Sequence, residues 1–230
     1  MDQAAAGRIA RNIEEARENI ASALEETGST RDVLLMAVSK TVGLEEVGAA
    51  IEAGVHDFGE NRTAELKRKQ EAYPDENWHF IGRIQTNKLK DVVGRACMIH
   101  SVASIHAIDT IDRLAGNLGI VQPILLEVNI SGEESKDGFS EGELEPALDH
   151  CAGLGNLEVR GLMTMAPLGE LDTARRVFGR LHEIEDELKV TYCDIGNVAL
   201  NELSMGMTQD YVDAVREGST IVRLGRSIFA

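Results

Sequence analysis

A lysine at the end of an apolar run is the first residue of this chain that could do chemistry. Residues 33–39 read VLLMAVS, and Lys40 follows them directly. A continuous apolar run of this kind is typical of a strand buried on both faces in a parallel sheet. Just past the carboxyl end of such a strand, partial desolvation would lower the pKa of an amine and allow it to form a Schiff base. The same position also suits an ordinary solvated lysine.

Two glycine-containing turns near the C-terminus could bind an anion. They are residues 204–207 (SMGM) and 223–227 (RLGRS), at the carboxyl ends of the last two predicted strands. Glycine lets backbone N–H groups approach an anion closely, and barrels build phosphate sites from the turns after strands seven and eight. Ser204 and Ser227 would add hydroxyl donors, and Arg226 would add charge. Alone, each glycine predicts only a turn. Two such turns together with Lys40 at the end of the first strand are poorly explained as ordinary turns.

The elements that must position these residues alternate along the chain. Apolar runs predict strands near residues 33–38, 55–59, 78–82, 98–102, 122–130, 159–165, 201–205 and 220–224, with helical patterns between them. Residues 4–26 form an amphipathic helix before the first strand. This pattern predicts an α/β fold, a single (β/α)8 TIM-type barrel with an additional N-terminal helix, in one domain spanning residues 1–230. A doubly wound open sheet is the alternative. Because no closing helix is predicted after the last strand, the N-terminal helix could cover its position.

Composition limits the partners that the chain could have. The formal net charge is −16, with 39 acidic and 23 basic residues, which argues against a nucleic-acid partner. No apolar stretch approaches the roughly 18 residues of a membrane span, and three widely spaced cysteines favour a reducing, cytoplasmic location. The six histidines show no metal-ligand spacing, so no metal is expected. The acidic, lysine-poor composition suits either adaptation to high salt or an ordinary acidic protein.

Several segments carry a family resemblance, in order and at the family's spacing. They resemble the pyridoxal 5′-phosphate homeostasis proteins (YggS/PROSC-like), whose fold is similar to the N-terminal domain of alanine racemase. The resemblance extends from about residue 8 to the C-terminus. The segments are AVSKT (37–41), FGENR (58–62), WHFIGRIQTNK (78–88), EVNISGEESKDGF (127–139), RGLMTMAP (160–167), ELSMGMTQDY (202–211) and STIVRLGRSIF (219–229).

The resemblance implies that a barrel holds pyridoxal 5′-phosphate covalently, with each role carried over by matching position. Lys40 matches the Schiff-base lysine, Asn61 matches a residue lining the cofactor ring, and Arg223 matches the arginine facing the pyridine nitrogen. The phosphate cup is matched by Ser204, Gly206, Gly225 and Ser227. Two departures from the family pattern are Arg83, where many members have histidine, and Arg226, where threonine is common.

The function implied is cofactor homeostasis rather than catalysis. A permanent cation beside the pyridine nitrogen disfavours its protonation and weakens the ring as an electron sink. The three tyrosines fall in helical or connecting segments, and no second domain is evident. We therefore expect a monomer that holds pyridoxal phosphate as a Schiff base on Lys40 and releases it to pyridoxal-phosphate-dependent apoenzymes.

Two alternatives remain open at this point. One is a racemase-like enzyme of low activity that uses pyridoxal phosphate on amino acids. The other is a Schiff-base aldolase that uses Lys40 on a phosphosugar without a cofactor. The aldolase is disfavoured because neither a carboxylate nor a second lysine stands near Lys40 in the sequence, although barrel neighbours could supply one.

Overall fold

Eight parallel strands close into a barrel whose order in space follows their order in the chain. The computed structural model describes residues 3–133, 137–167 and 171–230. The strands are β1 Leu34–Val38, β2 Asp57–Glu60, β3 Asn77–Phe80, β4 Met98–Val102, β5 Gln122–Glu127, β6 Leu157–Met163, β7 Val198–Met207 and β8 Ile221–Leu224. Pairing of β1 with β8 closes the sheet, which confirms the predicted barrel and excludes the open sheet.

Helices cover the outside of the barrel. They are α1 Gln3–Thr27, α2 Leu44–Glu52, α3 Thr63–Ala72, α4 Ile105–Leu118, α5 Glu141–Ala152, α6 Leu171–Tyr192, α7 Tyr211–Arg216 and α8 Arg226–Phe229, with a 3₁₀ helix at Thr86–Asp91 between β3 and β4. The sequence predicted no closing helix, and α8 is a single turn. Among the described residues, no helix combines the length and apolar character needed to cross a membrane.

The N-terminal helix takes the place of a full closing helix, as the sequence predicted. Its buried face includes Ile9, Ile13 and Ile20, and α1 packs against α2, α7 and α8. Asn12 Nδ2 donates a hydrogen bond to the carbonyl oxygen of Ile228 at 2.9 Å, which ties α1 to the end of the chain. The apolar stripe of α1 therefore covers the side of the barrel that the four-residue α8 leaves open.

The segment before β7 is where the strand prediction was least accurate. The strand begins at Val198 rather than near residue 201, and its pairing with β6 shifts register between Val159 and Gly161. Leu200 has a φ of 47° and a buried side chain. An irregularity of this kind accommodates an extra residue in a ladder and bends the strand. Residues 189–201 therefore comprise the end of α6, a turn and this irregular start of β7.

Candidate functional site

A cleft of about 400 Å³ opens at the carboxyl ends of the strands. Its volume lies in the range of roughly 300–1,000 Å³ that is typical of small-molecule sites. Four residues of the predicted site line it: Lys40, Asn61, Arg223 and Gly225. We call it the main cleft. The other lining residues are Val38, Ile81, Gly82, Arg83, Met163, Met165, Met207, Thr208, Gln209, Asp210 and Arg226.

Lys40 stands on the wall of the main cleft, immediately after β1. The residue before it is held firmly, because the Ser39 N–H donates to Gly59 O at 3.0 Å and its hydroxyl donates to Glu60 Oε1 at 2.7 Å. Lys40 itself is exposed, which differs from the partial desolvation expected of a strand-end amine. Its amine is therefore accessible to small molecules that enter the cleft.

A buried ion pair lies directly behind this wall. Lys69 Nζ lies 2.5 Å from Glu60 Oε1 and 2.6 Å from the carbonyl oxygen of Ser39, and both charged side chains are fully buried. Lys69 was not among the predicted site residues, although it falls three residues after Leu66 on the buried face of α3. Barrel neighbours thus supply the carboxylate and second lysine that the sequence around Lys40 lacks. Of the lysines in the described residues, only Lys40 lines the main cleft.

Arg223 forms the buried end of the main cleft. Its Nη1 donates to Ser204 Oγ at 2.7 Å and its Nη2 donates to the carbonyl oxygen of Thr164 at 3.0 Å. Burial lowers the pKa of the Arg223 guanidinium to about 10, and the carboxylates of Glu127 and Asp210 oppose this shift. The group therefore remains a cation at neutral pH, with its position set by two hydrogen bonds.

A chain of hydrogen bonds runs from Arg223 through the barrel interior. Beyond Ser204, His100 Nδ1 lies 2.9 Å from the serine oxygen, His100 Nε2 lies 3.0 Å from His79 Nδ1, and His79 Nε2 lies 3.1 Å from Asp57 Oδ1. Because β4 and β7 are not neighbours, the bond between His100 and Ser204 crosses the interior. Burial lowers the pKa of His100 well below its usual value, with His79 and Arg223 adding to the effect. His100 is therefore neutral.

With one hydrogen on each imidazole, the two ends of this chain determine the direction of every bond in it. Arginine can only donate and a carboxylate can only accept. Ser204 must then pass its O–H to His100 Nδ1, His100 its Nε2–H to His79 Nδ1, and His79 its Nε2–H to Asp57. In this arrangement every hydrogen has an acceptor, so we infer one tautomer for each histidine.

Of the predicted phosphate cup, Gly225 lines the main cleft, whereas Gly206, Ser227 and Ser204 lie outside its described lining. Ser204 is fully buried between Arg223 and His100. Thr208 lines the cleft instead, with its Oγ1 3.3 Å from Ser227 Oγ and 3.4 Å from the Ser227 backbone nitrogen. These hydroxyls meet where the turns after β7 and β8 converge. Thr208 was not among the predicted site residues, although the segment ELSMGMTQDY contains it.

The two glycines of the predicted cup differ in what they require. Gly206 has a φ of 91°, and a Cβ there would lie 2.5 Å from Ala214 Cβ. Glycine is therefore needed at that position for the backbone and for packing against α7. Gly225 lines the main cleft, and a Cβ there would lie 3.3 Å from the carbonyl oxygen of Val38. Of the two, Gly225 is the one at which the backbone itself can form the wall of the cleft, because no side chain covers it.

The main cleft is positive although the protein is strongly negative. Lys40, Arg83, Arg223 and Arg226 line it, and Asp210 is the single carboxylate among its described lining residues. Asp210 Oδ1 accepts the N–H of Met207 at 2.6 Å, and burial raises the pKa of its carboxyl. An anionic ligand would offset this local excess of cations.

Each tyrosine of the chain has its hydroxyl engaged elsewhere. Tyr73 donates to Leu44 O at 2.9 Å, Tyr192 donates to Asp149 Oδ1 at 2.7 Å, and Tyr211 accepts from Asn19 at 2.9 Å. Within the part of the chain that the structure describes, the lining of the main cleft contains no tyrosine.

Comparisons with known proteins identify a family model and several relatives that cover most of this chain. The family model described as "Alanine racemase, N-terminal domain" matches residues 9–230. The pyridoxal phosphate homeostasis protein of Aquifex aeolicus is 41% identical over 216 residues, covering 92% of this chain and 93% of the relative. The protein of the same name from Synechocystis sp. is 39% identical over 201 residues, covering 86% and 90%.

Among solved structures, PipY of Synechococcus elongatus PCC7942 with pyridoxal phosphate bound has a TM-score of 0.84 and 32% identity, covering 96% of this chain and all of that one. A protein from Bifidobacterium adolescentis has a TM-score of 0.92 and 35% identity, covering 100% and 97%. The alanine racemase of Clostridium difficile shares the fold alone, with 14% identity and a TM-score of 0.70, and this chain covers 55% of its length.

Proposed function

The chain belongs to the family of pyridoxal phosphate homeostasis proteins, and from that premise we propose that it holds pyridoxal 5′-phosphate in the main cleft on the amine of Lys40 and passes it to other enzymes. The observation that carries this proposal is the placement of Lys40 and Arg223 in one positive cleft, beside the turns after β7 and β8. An amine, a ring-facing cation and an anion cradle are the three groups that this cofactor requires.

The residues of the main cleft fit the cofactor by charge and by donor type. Lys40 is the amine that can condense with an aldehyde, and Arg223 is placed to face the ring nitrogen. Thr208, Ser227 and the backbone at Gly225 are suited to the phosphate, because hydroxyls and N–H groups donate to its oxygens. Asn61 lies on the same wall as Lys40 and would contact the ring. Pyridoxal phosphate supplies an aldehyde and an electron-withdrawing ring when it is bound.

Two features favour a carrier over a racemase-like enzyme. The Arg223 guanidinium keeps its charge at neutral pH, so it disfavours a proton on the ring nitrogen. A racemase also needs a second acid–base group opposite its lysine, whereas the tyrosines have their hydroxyls bonded elsewhere. Racemase-like activity of a low rate remains the alternative. Glu60 and Lys69 add little support for a cofactor-free aldolase, because they form an ion pair with each other and are fully buried outside the cleft.

Release to a recipient suits the exposed position of Lys40. A competing amine can reach the cleft wall and take the aldehyde from the lysine, which transfers the cofactor without consuming it. We propose pyridoxal-phosphate-dependent apoenzymes as recipients. We also propose that residues 1–230 act as one monomeric binding domain in the cytoplasm. The three free cysteines support that location.

The test is a spectrum of the protein mixed with pyridoxal phosphate. We expect an absorption band at about 420 nm, which is characteristic of pyridoxal phosphate joined to a lysine. Borohydride reduction and peptide mapping should then place the adduct on Lys40, and Lys40→Ala should lose both signals while keeping its circular dichroism. An adduct found mainly on another lysine would refute the assignment. A parent protein without the band would refute covalent binding.

A further inference from the structure

A second cleft adjoins the main one and has a composition of its own. It has a volume of about 380 Å³ and lies where α3 and the 3₁₀ helix begin. Arg62, Arg83 and Lys88 line it, with Phe80 and Leu89 as apolar contributions. We call it the basic cleft. Much of its lining comes from the segment WHFIGRIQTNK (78–88). The proposed function gives no role to residues 84–88 of that segment.

The charge of the basic cleft is unbalanced. Three cations line it, and no carboxylate does so among the described residues. Arg83 is paired with Asp137 at 2.8 Å. Arg62 and Lys88 make no salt bridge within the described ranges, and both are exposed. Such a concentration of positive charge in a protein of net charge −16 favours an anion at this place.

The backbone at the basic cleft adds donors to these side chains. Arg62 precedes the first turn of α3 and Gln85 precedes the 3₁₀ helix, and neither side chain caps its helix. The first N–H groups of α3 therefore have no side-chain acceptor at the cap. Together with the guanidinium forks and the Lys88 ammonium, they suit an anion with several acceptor oxygens.

The basic cleft is adjacent to the main cleft. Asn61 and Arg83 line both. An anion held by Arg62 and Lys88 would therefore lie beside the main cleft. The apolar side formed by Phe80 and Leu89 leaves room for a carbon skeleton beside the anionic group.

We infer that the basic cleft is a second ligand site, which binds the phosphate group of a phosphorylated small molecule beside the main cleft. A phosphate monoester carries about −1.5 to −2 charges at neutral pH and three acceptor oxygens, which match the cations there and the N–H groups at the uncapped start of α3. A carboxylate brings one charge and two oxygens and matches them less well. The inference does not depend on covalent attachment at Lys40.

The test uses the full chain saturated with pyridoxal phosphate and follows backbone amide NMR signals while inorganic phosphate is added at low ionic strength. We expect saturable shifts at residues 62–66 and 84–89. Arg62→Gln with Lys88→Gln should weaken phosphate binding about tenfold or more, because charge-assisted hydrogen bonds are lost. The matched control, Lys67→Gln with Lys90→Gln, removes two exposed charges outside the cleft and should change the affinity by less than about twofold.

Other results would overturn the inference. One is that phosphate causes no amide shifts in the parent. Another is that the shifts persist unchanged in the Arg62→Gln, Lys88→Gln variant. A third is that the Lys67→Gln, Lys90→Gln control loses them equally. Binding of polyglutamate in place of phosphate would identify the cleft as a docking surface for acidic protein and would also overturn it. Repeating the titration with glycerol 3-phosphate and with further pyridoxal phosphate shows which carbon skeleton the site prefers. The amide signals report binding whether or not the band of the Lys40 adduct is present.

Discussion

Arg223 and Ser204 join the main cleft to the interior of the barrel, with Arg223 Nη1 donating to Ser204 Oγ at 2.7 Å. Ser204 Oγ also lies 2.9 Å from His100 Nδ1, and in the direction that we infer its own hydrogen goes to His100. The orientation of the Arg223 guanidinium therefore depends on two buried histidines and, at the far end, on Asp57.

Ser204→Ala should destabilise the protein and disturb this chain. A buried guanidinium N–H would lose its acceptor, which costs about 1–3 kcal/mol, and urea denaturation measures the loss. In the parent, ¹⁵N NMR of the imidazoles should show His100 neutral with its hydrogen on Nε2, and a hydrogen on Nε2 of His79. Thr164→Ser, which keeps the carbonyl acceptor of Arg223 and removes one methyl, is the control for a general packing effect. A parent spectrum with His100 protonated on Nδ1 would contradict the direction that we assign to the chain.

Thr208→Val should weaken the binding of pyridoxal phosphate and leave that of pyridoxal nearly unchanged. The change keeps the shape and removes one hydroxyl donor to the phosphate, which is worth roughly 1.5–3 kcal/mol. Parallel titrations of both aldehydes measure the difference. Ser204→Ala in the same assay decides whether the predicted phosphate role of Ser204 holds. Equal affinity of the parent for the two aldehydes would sink the idea of a phosphate site.

Lys69→Met should be among the more destabilising single changes in this chain. It leaves Glu60 charged and fully buried, with Oε2 already without a hydrogen-bond partner in the described structure. Losing one partner of a buried pair costs about 3–5 kcal/mol. Adding Glu60→Gln should recover part of that cost. The exposed Lys67→Met is the control, and a similar loss of stability there would show that the effect is not specific to the buried pair.

Glu127→Gln should make the stability of the protein less sensitive to pH between 4.5 and about 7. Burial raises the pKa of Glu127 to about 7, with Asp137 adding to the effect and Arg223 and Arg83 opposing it. The folded protein therefore holds a proton that the unfolded chain releases above its usual pKa of 4.5, so stability falls as pH rises from there through 7. The variant should lack this fall. Between pH 5 and pH 8, the free energy of unfolding of the parent should therefore drop by on the order of 2–3 kcal/mol more than that of the variant. If the free energies of unfolding of the parent and the variant changed with pH in the same way, the assignment would be contradicted.

Turnover of amino acids should stay far below that of a useful enzyme. Amino acids should react as competing amines and release the cofactor, so kcat for racemisation, transamination or decarboxylation should lie well under about 1 s⁻¹. A screen of the cofactor-loaded protein measures all three. Sustained turnover near that rate on one amino acid, lost in Lys40→Ala, would establish the racemase-like alternative.

The sequence by itself was enough to predict the barrel and the site's outline. Period and order of the apolar runs predict eight strands, and a (β/α)8 barrel brings the carboxyl ends of all its strands to one mouth. That rule alone places Lys40 and Arg223 together, although 183 residues separate them in the chain. The covering role of α1 could also be read from its apolar stripe and from the short segment that follows β8.

Only the tertiary structure decided which side chains face the mouth and which lie beneath it. Ser204 and Thr208 are four residues apart, yet one is buried under Arg223 and the other lines the cleft. The backbone at Gly206 has a positive φ of 91°, and β7 ends at Met207, so that Thr208 belongs to the turn that follows. The pairing of Glu60 with Lys69 and the chain through His100 were likewise hidden from the sequence. They join residues on different elements of the barrel, and such contacts depend on how the strands and helices pack rather than on any local pattern.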